Sequence, residues 1–294
     1  MSRIIISTES GSDLPYKIVI PNNIEIIPMH VTFGNSTGYD GSFDIHEIYD
    51  YFNTNKTLPT TSAPNPQEYI RHFKAIFQKY PRCKIIHISY SSKLSACYQN
   101  SLIASKSFKD SVVASIDSKN ASIGTGVLVM KACETVRKYS AFVTFEELLS
   151  FIKKQRDKLC CNFVPEKLDY LKAGGRVSGI AHFGATVLGI KPSIKVENGE
   201  IVAGKKYRGN INKVAETLLN DFINTYNPSK EFLVIAYTYG VSKPLLFSLK
   251  RKAHKYGFLK SWCFQLGSAV TSHTGPVGIG FAGIGSNREQ KHVD

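Results

Sequence analysis

Cysteine is scarce in this chain of 294 residues, and its placement forms no pattern. The six cysteines stand at 83, 97, 133, 160, 161 and 263, with no C-x-x-C and a single adjacent pair. That excludes a zinc framework and a secreted disulfide scaffold. Long hydrophobic runs are missing too. The weakly apolar stretch Val177 to Ile190 has 14 residues, is rich in glycine and carries His182, so it is too short to span a bilayer. At the N-terminus only Ile4, Ile5 and Ile6 are consecutive apolar residues, too few for a signal peptide. The expectation is a soluble cytoplasmic protein. No internal repeat or low-complexity segment occurs, and the 22 glycines and 12 prolines are spread out. Acidic residues are in deficit, 23 against 37 Lys and Arg, which leaves a net charge of +14. Such a surplus favours polyanions, anionic membrane surfaces or acidic proteins without choosing among them. The cations are scattered, and no base-reading or stacking motif accompanies them, so no nucleic-acid partner is expected.

What is present is ordinary globular composition, 43% apolar and 20% charged. At roughly 150 residues per domain, the length allows one large domain or two ordinary ones. Short β-branched runs alternate with longer amphipathic ones through the first half. Strands are expected at Arg3–Thr8, Ile24–Phe33, Lys84–Tyr90 and Val112–Asp117. Asp44 with Glu47 reads as a helix cap, as does Thr144 with Glu147, which opens a helix over Phe145–Leu159. Asn65–Tyr80 carries Tyr69, Phe73, Ile76, Phe77 and Tyr80 on one stripe, and Ala121–Lys138 is a further helix. This alternation predicts a parallel sheet covered by helices.

After residue 160 the rhythm changes. Asn198-Gly199 is a hairpin turn between Ser193–Glu197 and Ile201–Ala203. Helices over Ile211–Tyr226 and Pro244–Tyr256 alternate with strands over Phe232–Tyr239, Ser261–Leu266 and Val277–Ala282. The pattern is α+β with antiparallel strands, and a domain boundary is expected near residue 160.

Familiar catalytic motifs fail one by one. Gly278-Ile279-Gly280-Phe281-Ala282-Gly283 matches G-x-G-x-x-G, but only 11 residues follow it and the alternation is that of a strand. Gly184 and Gly189 are followed by Ile190-Lys191, not by the Gly-Lys-Ser/Thr of a phosphate loop. No G-x-S-x-G and no H-E-x-x-H occurs, and no carboxylate pair stands out. Hydroxyl-rich segments do stand out, each after an apolar segment or before a helix: Thr60-Thr61-Ser62-Ala63-Pro64, Ser89 to Ser95, and Ser272-His273-Thr274-Gly275-Pro276. Taken singly, these hydroxyls read as caps and turn residues. Taken as loops beyond strand ends, they lie where α/β folds bind ligands.

Together with Ser7 to Pro15, Ile116-Asp117-Ser118, Tyr170 to Ser178 and Ile190-Lys191-Pro192, these segments resemble the DegV family, the fatty-acid-binding subunits of bacterial fatty acid kinase. The resemblance runs through nearly the whole chain. It implies an N-terminal Rossmann-like α/β domain with a parallel sheet over 1–160. A C-terminal α+β domain with a mixed or antiparallel sheet follows over 161–294, and one long-chain fatty acid such as palmitate is buried between them. By motif, the carboxylate falls to Thr61, Ser92 and His273, with Ser62, Ser91 and Thr274 as secondary candidates. The resemblance also implies an ATP-binding kinase subunit as partner, docking at Arg176, transient membrane contact, no cofactor or metal, and no catalytic centre in this chain. The sequence departs from the family at Ala173, Tyr90, Ala96-Cys97 and Val277. Ala173 takes the place of a basic residue, which weakens docking at that loop, and the others bear on pocket shape.

The chemistry suits that reading. Each buried CH₂ is worth roughly 0.8 kcal/mol, so an acid of about 16 carbons gains up to ~12 kcal/mol before ordering costs. Burying the carboxylate unpaired costs several kcal/mol. Two hydroxyls and an imidazole can donate to it without a fixed full charge. The competing reading is an enzyme acting on a small carboxylate, with the Ser/Thr/His cluster doing acid–base work. It lacks a visible acid partner for His273.

Overall fold

The computed structural model describes residues 3–108, 112–139, 142–175, 177–178 and 189–286. The first part of the chain supplies β1 (Ile4–Glu9), α1 (Tyr16–Val19), β2 (Glu25–Ile27), β3 (His30–Phe33), β4 (Ser36–Tyr39), α2 (Ile45–Asn55), β5 (Thr60–Ser62), α3 (Pro66–Lys79), β6 (Lys84–Ser89), α4 (Cys97–Ser105), β7 (Val113–Asp117), α5 (Ile123–Tyr139) and α6 (Phe145–Arg156). Strands β2, β1, β6 and β7 pair in that order, all parallel. The expected strand over Ile24–Phe33 is two strands in different sheets. Pro28 lies between them with no N–H to give a ladder, and β3 leaves to pair antiparallel with β4 and β5. Thr60–Ser62, read as a loop, is one of the two edge strands of this small sheet.

The remainder is β8 (Leu159–Val164), α7 (Asp169–Gly174), β9 (Val177–Ser178), β10 (Ile190–Glu197), β11 (Glu200–Arg208), α8 (Ile211–Tyr226), β12 (Leu233–Tyr237), α9 (Lys243–Lys255), β13 (Ser261–Gln265), α10 (Ser268–Thr274) and β14 (Ile279–Ile284). Seven strands form a mixed sheet in the order β13-β12-β14-β8-β10-β11-β9. The fold class is therefore α/β with a parallel sheet and a separate mixed sheet. Residue 160 falls inside β8, a strand that the expected helix over Phe145–Leu159 partly overran. The helix ends at Arg156 and β8 is buried along most of its length, so its apolar run has no alternation to reveal it. The G-x-G-x-x-G run is β14, with no helix after it among the described residues.

Local chemistry explains the helices that the sequence reveals. Asp44, Asn65 and Thr144 each accept a backbone N–H of the first turn, while Glu47, Glu68 and Glu147 reach back to the cap residue. Pro66 fills the first position of α3, where no N–H is needed. At the β10–β11 turn, Asn198 and Gly199 have φ of 50° and 87°, as a two-residue hairpin with right-handed strand twist requires. Helix α5 is buried on nearly every side, from Ile123 to Met130 without a break. It packs on β1 and β6 of the parallel sheet and on β8 and β14 of the mixed sheet, so it is the shared layer between them. Helices α8 and α9 cover the other face of the mixed sheet.

Candidate ligand cavity

A cavity of about 400 Å³ opens between the C-terminal ends of the parallel strands and one face of the mixed sheet. Loops beyond β6 and β7 bring Tyr90, Ser95 and Ser122, while β8 and β10 bring Phe163 and Ile194. Loops at the carboxyl ends of parallel strands are where open α/β sheets bind ligands. The lining is mainly apolar. Cys161 belongs to it, and burial pushes its thiol up to about 12, so it is a neutral wall.

Among the polar residues of the cavity wall, two that lie 212 positions apart meet, Thr61 on β5 and His273 on α10, with Oγ1 and Nε2 2.8 Å apart. The hydroxyl can donate or accept, so the pair accommodates either imidazole tautomer. Gly174 of α7 backs the ring, since a Cβ there would stand 2.7 Å from Nδ1. No other residue fits that place without moving the imidazole.

Of the six expected carboxylate residues, Thr61, Ser62, His273 and Thr274 line the cavity. Ser62 is exposed at its rim, and the Thr274 hydroxyl donates back to Val270 O at 3.2 Å. Ser91 and Ser92 are placed elsewhere. Ser91 is buried and donates to Gly199 O at 2.7 Å. Ser92 is exposed and donates to Asp117 Oδ2 at 2.6 Å, because β7 lies beside β6 and ends level with Ser89. The serine of this segment that lines the cavity is Ser95, one turn further on. Arg176 lies outside the described residues, as does most of the glycine-rich run 180–190.

The sequence reading also missed α10, which appeared as a loop between strands. Its N-cap is Gly267, with no capping side chain of its own. Behind the wall stand two buried carboxylates. Glu9 Oε2 accepts the N–H of Tyr90 at 3.0 Å. Asp13 Oδ1 accepts the N–H of Gly267 at 2.7 Å, and its Oδ2 accepts the hydroxyl of Ser122. Burial pushes the Asp13 carboxyl up to about 8 against those two donors, with Asp40 adding to the rise. Among the described residues no three His, Cys, Asp or Glu side chains gather as a metal site. No helix among them is long and apolar enough to cross a membrane.

The DegV family model matches residues 3–284. The chain belongs to the DegV family. A DegV domain-containing protein of Clostridium acetobutylicum is 34% identical over 234 residues, 79% of this chain and 81% of that one. Another, from Clostridium perfringens, is 28% identical and covers 94% of this chain and 96% of its own length. A solved DegV family protein from Thermus thermophilus, described by its fatty acid binding, superposes with a TM-score of 0.84 at 25% identity, covering 96% of this chain and 99% of that one. A DegV lipid-binding protein from Thermotoga maritima shares the fold, with a TM-score of 0.80 at 24% identity over 98% of this chain and all of that one.

Proposed function

We propose that this DegV protein binds one long-chain fatty acid, such as palmitate, in the cavity. The carboxylate meets Thr61 and His273, and the tail runs over the apolar walls. The observation that carries the reading is the Thr61–His273 contact at 2.8 Å within a mainly apolar cavity of about 400 Å³. That volume lies in the range of small-molecule sites. The fatty acid binding of the Thermus thermophilus relative supports the choice of ligand. Ser95 takes the part first assigned to Ser92. The acid then sits between two domains that divide near residue 160. The chain acts as a carrier in the cytoplasm, without cofactor or catalytic centre, touching membranes transiently. It presents the bound carboxylate to an ATP-binding kinase subunit that docks at Arg176.

The test is native mass spectrometry of the purified protein with lipid extraction. One fatty acid per chain is the expected result, and a protein that is empty and refuses added palmitate overturns the reading. Thr61→Ala and His273→Ala should each weaken palmitate binding about tenfold or more, as loss of a hydrogen bond to a charged group does. Ser95→Ala should weaken it and Ser92→Ala should not, which separates the two serines. Arg176→Glu should lower kinase-dependent phosphorylation while lipid occupancy stays full. Equal loss of both would remove the docking role.

A further inference from the structure

Helix α10 carries His273 near its end but brings no cap for its start. That start is held from the far side of the chain. Asp13 accepts the N–H of Gly267, 254 positions away, and Asp40 Oδ1 accepts the N–H of Ala269 at 3.0 Å, 229 positions away. Both carboxylates crowd the same glycine. A Cβ at Gly267 would lie 3.1 Å from Asp13 Oδ1 and 3.3 Å from Asp40 Oδ1. Ser122, bonded to the second oxygen of Asp13, lines the cavity, and so do Ala269 and Val270 of α10. Asp13 therefore ties together two stretches of cavity wall from opposite halves of the chain. Its backbone is in the left-handed region, with φ of 54°, which Asp adopts more readily than most residues where a helical turn ends. At the other end of the helix, Gly275 closes on Tyr170 and Gly174 backs His273. Anchoring at both ends fixes where this seven-residue helix places the His273 backbone.

We propose that Asp13 and Asp40 are positioning residues for the carboxylate site: they fix the start of α10 so that His273 at its other end meets Thr61. This rests on the proposed fatty acid binding for its purpose but not for its geometry. The titratable groups facing Asp13 are Asp40 and the Tyr90 phenol, and the other facing groups are the Ser122 hydroxyl and the Gly267 N–H. With a carboxyl pushed up to about 8, Asp13 holds its proton at neutral pH, where Oδ2 can donate to the Ser122 oxygen, and above that value it is a carboxylate that accepts the Ser122 hydroxyl.

The experiment follows the His273 ring by NMR in the histidine-labelled, ligand-free chain, with the signal assigned by its loss in His273→Gln. Palmitate affinity is measured alongside at pH 7. Asp13→Ala should shift the His273 resonance and weaken palmitate binding about tenfold, the size of a lost positioning bond. Asp13→Asn should restore both. Its carbonyl oxygen can accept from Gly267, and its amide can donate to the Ser122 oxygen. In the native chain the His273 signal should show an extra inflection near pH 8. That inflection should be absent in Asp13→Asn and lower in Asp40→Asn, which keeps its bond to Ala269 but removes the like charge. A His273 signal unchanged in Asp13→Ala overturns the proposal, whatever the melting temperature does. So does Asp13→Asn behaving like Asp13→Ala. If Asp13→Ala fails to fold, the pH profiles of Asp13→Asn and Asp40→Asn decide. If the native chain takes up no palmitate, the ligand assignment fails while the His273 signal still decides the positioning role.

Discussion

Glu9 and Asp13 stand four residues apart, are both buried, and answer burial in opposite directions. Burial pushes the Glu9 carboxyl up, yet the charge of His87 and hydrogen bonds from His87, Tyr69 and Ser89 bring it below the ordinary value. Those bonds are 2.8, 2.6 and 2.7 Å, and the Tyr90 N–H adds a fourth. Asp13 has two donors and a carboxylate neighbour, and it ends near 8. The difference teaches that burial alone does not set the state of an acid; the number and charge of its donors decide whether burial is overcome. The pH consequences are opposite. The Glu9 contribution is present above its ordinary value of 4.5 and is lost as pH falls through its lower folded value. Folded Asp13 keeps a proton that the unfolded chain releases, so stability falls as pH rises from 3.8 towards 8.

The largest break in this comparison comes from Glu9→Ala. It strands His87, Tyr69 and Ser89 in the interior and should cost about 3–5 kcal/mol in urea unfolding at neutral pH. A loss under about 1 kcal/mol, typical of a surface change, would put the two acids on the same footing. Asp13→Asn comes next. Native stability should decline between pH 6 and 8 by up to about 1.4 kcal/mol per unit, and the variant should lose that slope. His72 sharpens the acid side with the smallest effect. Its Nε2 lies 2.8 Å from the Ser7 hydroxyl, whose oxygen also meets His87, and burial pushes it down to about 3. The folded chain refuses a proton that the unfolded chain takes below 6.5, so stability is lost as pH falls through that window. His72→Gln should recover about 1–2 kcal/mol near pH 5, and an unchanged acid profile would show that His72 is not the group responsible.

Legibility in the sequence follows the reach of each interaction. Helices α2 and α6 were readable because cap and partner lie three residues apart, and the β10–β11 hairpin because its turn chemistry is local. Helix α10 was not, since its capping carboxylates come from Asp13 and Asp40 in the first part of the chain. Strand β8 was hidden by burial, and the break at Pro28 becomes visible only once β3 finds β5. Thr61 and His273 were singled out through the family's motifs, but their contact needs two elements, β5 and α10, that the chain order keeps apart. That Ser95 lines the cavity and Ser92 does not depends on where Asp117 draws the loop.

Strand β14 is the last in chain order among the described residues, yet it lies between β12 and β8 in the mixed sheet. A nascent chain leaving the ribosome can close its parallel sheet once Asp117 has emerged, but the mixed sheet has an empty centre until Ile284 is out. Through that interval the apolar faces of β8 and β12 are open to wrong partners, the situation in which chaperones act on larger proteins. His273 belongs to this later stretch and Thr61 to an earlier one, so the contact between them can form only after α10 has emerged.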